Sequence, residues 1–146
     1  MTNAFNYLRS HRLMEASTYP YTGKDGACQY NESQGVVSVQ SYVTVPPGDV
    51  DALMRAVSLQ PVTAGMAAYC DSVMLYAEGV LTDSCGTSLD HGVLIVGYGS
   101  SSGLDYWLIK NSWGATWGEE GYLRLQRTAG DGLCGINLLA SYPLID

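Results

Sequence analysis

His91 and Asn111 are the two residues whose chemistry and spacing stand out in this sequence of 146 residues. His91 precedes the apolar run Val93–Val96, and Asn111 follows the apolar run Trp107–Ile109. Short continuous runs of this kind, bounded by turn residues, are typical of strands buried on both faces. Antiparallel pairing through a turn at Ser100–Gly103 would bring the start of the first strand beside the end of the second. The amide can then orient the imidazole for a nucleophile, and we expect that nucleophile to be a cysteine.

The elements that must position this pair are predicted to be mainly strands. Asp49 is a favourable N-cap, and the apolar residues that follow it have helical spacing up to about Gln60. A shorter helix is predicted at the N-terminus, over Thr2–His11. The remaining predicted elements are strands or strand-like segments, at Gln34–Val45, Pro61–Met66, Leu75–Leu81 (as a hairpin), Gly121–Gln126 and Asn137–Ser141.

Two long motifs carry a resemblance to a known family. DHGVLIVGYG, which contains His91, and YWLIKNSWGATWGEEGYLRL, which contains Asn111, resemble the histidine and asparagine motifs of papain-like cysteine proteases, the cathepsin L type in particular. Shorter matches are YPYTGKDGACQY at Tyr19–Tyr30, QPVTAGM at Gln60–Met66 and CGINLLASYP at Cys134–Pro143. The resemblance therefore covers nearly the whole chain.

The resemblance implies a fold as well as an activity. The implied class is α+β, with the papain-like arrangement of a helical lobe and an antiparallel β-barrel lobe. Residues 35–146 would form the barrel lobe, complete or nearly so. Residues 1–34 would be the remnant of the helical lobe, which makes this chain a C-terminal part of such a protease.

The implied activity is that of a cysteine-type endopeptidase, in which a thiolate–imidazolium pair hydrolyses peptide bonds. By resemblance, His91 and Asn111 are catalytic, because the histidine pairs with the cysteine and the asparagine holds the histidine. Trp113 would shield the bond between them from water. Trp117 would line the leaving-group side of the cleft. The expected substrate is a peptide or a protein, and the resemblance implies no cofactor.

The nucleophile itself has no counterpart in these 146 residues. Family members carry it in a CGSCW-like segment about 130–150 residues before the histidine, whereas only 90 residues precede His91 and none forms such a segment. We therefore expect the nucleophile upstream of Met1, and we expect the chain alone to be inactive. The alternative hypothesis is a non-catalytic, pseudoprotease-like protein that binds peptides or a protease.

Three positions bear on substrate preference. By resemblance, Gly65, Leu89 and Leu139 line the pocket for the second residue before the cleaved bond. Glycine and leucine leave such a pocket apolar, so we expect it to accept a hydrophobic side chain. No acidic residue lies at the floor of the pocket, so a preference for arginine there is not expected.

The four cysteines are predicted to have different states. By resemblance, Cys85 and Cys134 form a disulfide that closes a loop of 49 residues, worth roughly 4 kcal/mol by loop entropy. Cys28 would be a free thiol, because its implied partner lies in the absent segment. Cys70 is either a surface thiol or paired with a neighbour. No metal site is expected, since no CxxC-like or HxxxH-like ligand pair occurs.

Charge and hydropathy exclude several classes of partner. Seven Lys and Arg residues against fourteen Asp and Glu give a net charge of −7, which argues against binding to nucleic acid or to anionic membranes. No run of 18 apolar residues is present to span a membrane. The acidic balance and a glycosylation sequon at Asn31–Ser33 favour the lysosome, the vacuole or the extracellular space. Expected protein partners are the missing N-terminal lobe or an inhibitor.

Overall fold

The computed structural model describes residues 1–145 and shows a mixed α+β protein. The helices are α1 (Thr2–Leu8), α2 (Val50–Leu59) and the four-residue α3 (Asp71–Met74), with 3-10 turns at Glu32–Gln34 and Leu133–Gly135. None of the described helices is long and apolar enough to cross a membrane. The strands are β1 (Leu13–Met14), β2 (Gly35–Val37), β3 (Ser41–Val45), β4 (Val62–Met66), β5 (Val80–Leu81), β6 (His91–Ser101), β7 (Leu104–Lys110), β8 (Tyr122–Gln126) and β9 (Ala140–Leu144).

The chain divides into two compact units. Unit 1 contains Met1–Val43 and the residues from Pro143 on, and unit 2 contains Thr44–Tyr142. In unit 1, α1 buries Phe5 beside the ring of Tyr42, and β1 pairs with β2 in an antiparallel ladder. The assignment of residues 1–34 and 35–146 to a helical and a barrel lobe remains a prediction.

A seven-stranded sheet contains every strand except β1 and β2. Its order is β3-β9-β4-β6-β7-β8-β5, and most of its pairings are antiparallel, the pair β5 and β8 being parallel. The central hairpin is β6–β7, in which Ser101 lies opposite Leu104. Its two loop residues, Ser102 and Gly103, have φ of 51° and 80°. Positive φ at both loop positions matches the twist of the flanking strands, which is why this tight turn joins them.

The core of unit 2 lies on the buried face of this sheet and under α2. Trp107 and Ile109 of β7 are fully buried, as are Leu123 and Leu125 of β8, and the alternation along both strands gives the period of two expected for one buried face. Helix α2 begins where the side chain of Asp49 accepts a hydrogen bond from the backbone N–H of Ala52 at 2.8 Å. This contact confirms the predicted N-cap. The buried residues of α2 are Leu53, Ala56 and Val57.

Several other predicted elements are confirmed, and others need correction. The structure contains the helix after Asp49 and the predicted strands as β4, β6, β7 and β8. The N-terminal helix ends at Leu8 rather than His11, the predicted strand at Gln34–Val45 divides into β2 and β3, and the last strand starts three residues later than predicted. The hairpin predicted at Leu75–Leu81 is wrong. Only Val80 and Leu81 are strand residues there, and they pair in parallel with β8 because the preceding chain turns through α3.

The predicted disulfide between Cys85 and Cys134 is also wrong, because the structure joins Cys85 to Cys70. Helix α3, which the sequence analysis missed, follows Cys70 and lets the chain return, so that the Cα atoms of Cys70 and Cys85 lie 5.6 Å apart. That separation is typical of disulfides. Cys134 is free and fully buried, and its sulfur accepts a hydrogen bond from the backbone N–H of Cys85 at 3.3 Å. Cys28 is free and exposed, as expected.

Removing the Cys70–Cys85 bond by a double change to serine is expected to lower the free energy of unfolding by about 3 kcal/mol, the entropic effect of opening a loop of this length. Urea denaturation of the wild type and the double variant measures the difference.

In the native wild type, iodoacetamide should label Cys28 rapidly and Cys134 slowly, because burial raises the pKa of the Cys134 thiol and leaves less of the reactive thiolate. A non-reducing digest that links Cys134 to another cysteine would contradict this pairing.

Candidate active site

His91 and Asn111 lie in contact at one end of the β6–β7 hairpin. His91 is the first residue of β6, and Asn111 directly follows the last residue of β7. Because the two strands are antiparallel, these positions meet at the same edge of the sheet. The imidazole Nε2 of His91 lies 2.8 Å from Oδ1 of Asn111. The contact predicted from the sequence spacing is therefore present.

The hydrogen bonds around Asn111 define the direction of this contact. The same Oδ1 atom accepts the backbone N–H of Ser112 at 2.8 Å, which identifies it as the amide oxygen rather than the nitrogen. An amide oxygen only accepts, so Nε2 of His91 carries the proton and donates a hydrogen bond to Asn111. This tautomer leaves Nδ1 of His91 for a second partner, such as a thiolate.

Two tryptophans form an aromatic wall beside the pair. The ring of Trp113 lies 5.1 Å from the His91 ring at an angle of 30°. Trp117 packs edge-on against Trp113 with centroids 5.0 Å apart, and its indole N–H donates to the carbonyl of Met74 at 3.2 Å. The structure thus brings together His91, Asn111, Trp113 and Trp117, the four residues that the motifs singled out around the site.

An open cavity of about 660 Å³ adjoins His91. Asp90, the neighbour of His91, accepts backbone N–H groups from Ala68 at 2.8 Å and from Tyr69 at 3.3 Å. These two hydrogen bonds connect the start of β6 to the segment after β4. This role of Asp90 was not predicted, although its position beside His91 in the DHG motif was a signal for it. The lining residues are Ala68, Tyr69, Met74, Asp90, His91 and Trp113.

None of the three cysteines of unit 2 lines this cavity. Cys70 and Cys85 are joined to each other, and Cys134 is buried next to the backbone of Cys85. Among the residues that the structure describes, no three His, Cys, Asp or Glu side chains come close enough to hold a metal ion.

The three residues predicted to line a substrate pocket are neighbours in the structure. A Cβ atom added to Gly65 would lie 3.2 Å from Cδ1 of Leu89 and 3.4 Å from Cδ2 of Leu139. The backbone N–H of Gly65 also donates to the carbonyl of Leu139 at 2.8 Å. The absence of a side chain at Gly65 therefore lets the two leucines approach its backbone closely, and Leu139 is 43% exposed.

Glu119 and Arg124 form an ion pair that also binds the backbone of Gly79. Glu119 accepts hydrogen bonds from the guanidinium of Arg124, with Nη2 at 2.5 Å from Oε1 and Nε at 2.8 Å from Oε2. It also accepts the backbone N–H of Gly79 at 2.9 Å. Hydrogen bonds from Arg124 hold the pKa of the Glu119 carboxyl below its ordinary value, and the same pairing raises the pKa of Arg124.

The lowered pKa of Glu119 predicts how its contribution to stability depends on pH. A carboxyl whose folded pKa lies below its unfolded value stabilises the fold fully above the unfolded pKa, near 4.5, and loses that effect as the pH falls through the folded value. The difference in unfolding free energy between the wild type and Glu119→Gln should therefore be constant from pH 6 to 8 and shrink below about pH 4.5. Urea midpoints of both proteins across this range measure it, and a difference that grows on acidification would contradict the assignment.

Comparison with known proteins identifies the family. A sequence model described as "Papain family cysteine protease" matches residues 1–144. This chain belongs to the papain family of cysteine proteases. Vignain from Ricinus communis is 45% identical, in a match that covers 99% of this chain and 41% of vignain. The KDEL-tailed cysteine endopeptidase CEP2 from Arabidopsis thaliana is 43% identical, in a match that covers 99% of this chain and 41% of CEP2.

A solved structure of a papain-family protein agrees with this fold. The ragweed pollen allergen Amb a 11, a cysteine protease crystallised in its proform, matches with a TM-score of 0.94 at 42% identity, over 100% of this chain and 45% of that one. The predicted α+β papain-like fold is therefore confirmed. The chain spans about two-fifths of the length of the curated relatives named above.

Proposed function

We propose that this chain supplies the histidine and asparagine half of a cysteine endopeptidase site, and that the nucleophilic cysteine comes from residues outside these 146. The observation that carries the proposal is the hydrogen bond of 2.8 Å between His91 and Asn111, covered by Trp113. Papain-family membership supports cysteine peptidase chemistry for the assembled protein. The chain alone is expected to be inactive, since none of the cysteines of unit 2 lines the cavity beside His91.

In the assembled site, each residue would have a defined role. The cysteine thiolate and the His91 imidazolium would form the resting pair, with Nδ1 of His91 facing the sulfur. The thiolate would attack the peptide carbonyl, and His91 would protonate the leaving amine. Asn111 would keep the imidazole oriented through Nε2, and Trp113 would exclude water from that bond, while Trp117 would line the leaving-group side. Water would then release the acyl group from the cysteine, with His91 as the base.

The substrate would be a peptide or protein with a hydrophobic residue second before the cleaved bond. Gly65, Leu89 and Leu139 support this preference, because they are neighbours in the structure and none of them carries a polar or charged side chain. The protein would reside in the lysosome, the vacuole or the extracellular space. The name of the relative CEP2, which carries a KDEL tail, supports a route through the secretory pathway.

A chimera tests the proposal. The matched segment of the Arabidopsis thaliana cysteine endopeptidase CEP2 is replaced by this chain, so that the rest of that endopeptidase supplies the nucleophile. The chimera is expected to hydrolyse a fluorogenic peptide with a hydrophobic residue at the second position, and a thiol-directed epoxide should abolish this activity. The 146-residue chain alone, assayed at the same concentration, should show none.

The control is the same chimera with its nucleophilic cysteine changed to serine, which should fold and remain inactive. A folded, soluble chimera that does not cleave any hydrophobic peptide would contradict the proposal. It would instead favour the alternative function, a non-catalytic protein that binds peptides or a protease through the cavity beside His91. Turnover by the 146-residue chain itself would also contradict it, because it would require a nucleophile among these residues.

A further inference from the structure

A continuous path of contacts links the Glu119–Arg124 ion pair to His91. The path begins at Tyr76, whose hydroxyl donates to the carbonyl of Gly79 at 2.6 Å and accepts the backbone N–H of Arg124 at 3.3 Å. Glu119 accepts the N–H of the same Gly79 and binds the side chain of the same Arg124. Glu119 and Tyr76 thus bind different atoms of the same two residues, Gly79 and Arg124. These shared partners fix the position of the Tyr76 ring.

The buried ring of Tyr76 packs against the aromatic wall. Its centroid lies 5.6 Å from that of Trp117, which contacts Trp113 at 5.0 Å, and Trp113 contacts His91 at 5.1 Å. Trp117 thus lies in contact with both Tyr76 and Trp113, and Trp113 lies in contact with both Trp117 and His91. A displacement of Tyr76 would therefore change the place of Trp113 over His91.

The turn that carries Glu119 reinforces this geometry. Glu119 forms a bridge with Tyr122, and the backbone N–H of Gly121 donates to the carbonyl of Trp117 at 2.8 Å. Gly118 has φ of 57°, and a Cβ atom there would lie 2.9 Å from the Tyr76 ring. Loop and ring therefore lie too close together for either to shift independently.

Resting on the proposed function, we propose that Glu119 is a positioning residue of the active site, which acts through Tyr76 and Trp117 to hold Trp113 over the His91–Asn111 pair. The carboxylate is suited to this role because it bonds both the chain before β5 and the strand β8. A neutral amide at this position would lose the bidentate, charge-assisted bond to Arg124.

The test uses the 146-residue chain, which has only two histidines, His11 and His91. Their ring Cε1–H signals are recorded by NMR at one pH. In the wild type, the ring current of Trp113 should displace the His91 signal upfield. In Glu119→Gln, most of that displacement should be lost, together with the near-ultraviolet circular dichroism of the Trp113–Trp117 pair. His11, which stacks on Tyr7 in unit 1, should not move.

Asp105→Asn is the matched control, because it removes the acidic partner of the other arginine ion pair, that of Arg127, in which the two charged groups are 3.1 Å apart. It should leave both histidine signals in place. Tyr76→Phe is a second variant, which keeps the ring and removes both hydroxyl bonds. A His91 shift in folded Glu119→Gln but not in Asp105→Asn supports the proposal, and an unmoved His91 signal in folded Glu119→Gln overturns it. If Glu119→Gln does not fold, Tyr76→Phe decides by the same criterion.

The result that would contradict the proposed function differs from the result that would contradict the positioning role of Glu119. An inactive wild-type chimera with a displaced His91 signal in Glu119→Gln would remove the peptidase assignment and keep the positioning role. In an active chimera, Glu119→Gln should lower kcat with KM little changed, because the variant disturbs the orientation of the general acid rather than the substrate pocket.

Discussion

Changing His91 to alanine is expected to lower kcat/KM of the active chimera by about 10⁴-fold or more, the effect of removing one member of a catalytic constellation that works as a unit. Without the imidazole, the thiol loses the cation that stabilises its thiolate, and the leaving amine loses its proton donor. Asn111→Ala should have a smaller effect, about 10²-fold, because the imidazole remains but loses the bond of 2.8 Å that orients it. Steady-state kinetics with one fluorogenic peptide measures both.

His11→Ala is the matched control, since His11 is the other histidine of the chain and its ring stacks on Tyr7. It should leave kcat/KM within the error of the assay. The graded order of the three variants is the informative result. A His91→Ala chimera that retains most of its activity would mean that another group of the assembled protein performs the proton transfer.

Changing Trp107 to alanine is expected to destabilise the chain by about 3–5 kcal/mol, the usual effect of removing a large buried aromatic side chain. Trp107 lies on β7, between β6 and β8, and is fully buried. Its ring also contacts Tyr98 edge-on and lies beneath the guanidinium of Arg127. Domains of this size are stable by about 5–15 kcal/mol, so the variant should unfold at a much lower urea concentration.

Trp107→Phe separates packing from hydrogen bonding. The indole N–H of Trp107 is buried and has no partner among the described residues, so phenylalanine removes volume without breaking a hydrogen bond. We expect a clearly smaller loss than for alanine. Tyr69→Ala, at a side chain that is 86% exposed, should change stability by less than about 0.5 kcal/mol. A similar loss for Trp107→Phe and Trp107→Ala would contradict the packing argument.

The contact between His91 and Asn111 was predictable because its geometry follows from local rules. Two apolar runs joined by a short turn form an antiparallel hairpin, and a hairpin places the residue before one strand next to the residue after the other. His91 and Asn111 occupy those positions, and the structure has them in contact. The N-cap at Asp49 was predictable for a similar reason, since the side chain and the backbone group it caps are three residues apart.

The disulfide was not predictable in this way. Two cysteines lie near Cys85 in the structure. Cys70 forms a disulfide with Cys85, and the sulfur of Cys134 accepts a hydrogen bond from the backbone N–H of Cys85. The choice between them depends on α3, a helix of four residues that is too short to show a hydrophobic period. Resemblance favoured Cys134, but sulfur atoms pair according to their positions in space.

The sequence by itself determined the family and the hairpin that presents His91 and Asn111, because sequence motifs and strand periodicity are defined by residues that are near one another along the chain. Tertiary structure alone decided which cysteines pair, which backbone groups after β4 bind Asp90, and how Glu119 and Tyr76 both bind Gly79 and Arg124. Those contacts join residues from separate elements, and hydrogen bonds of about 3 Å form only where packing has already brought the elements together.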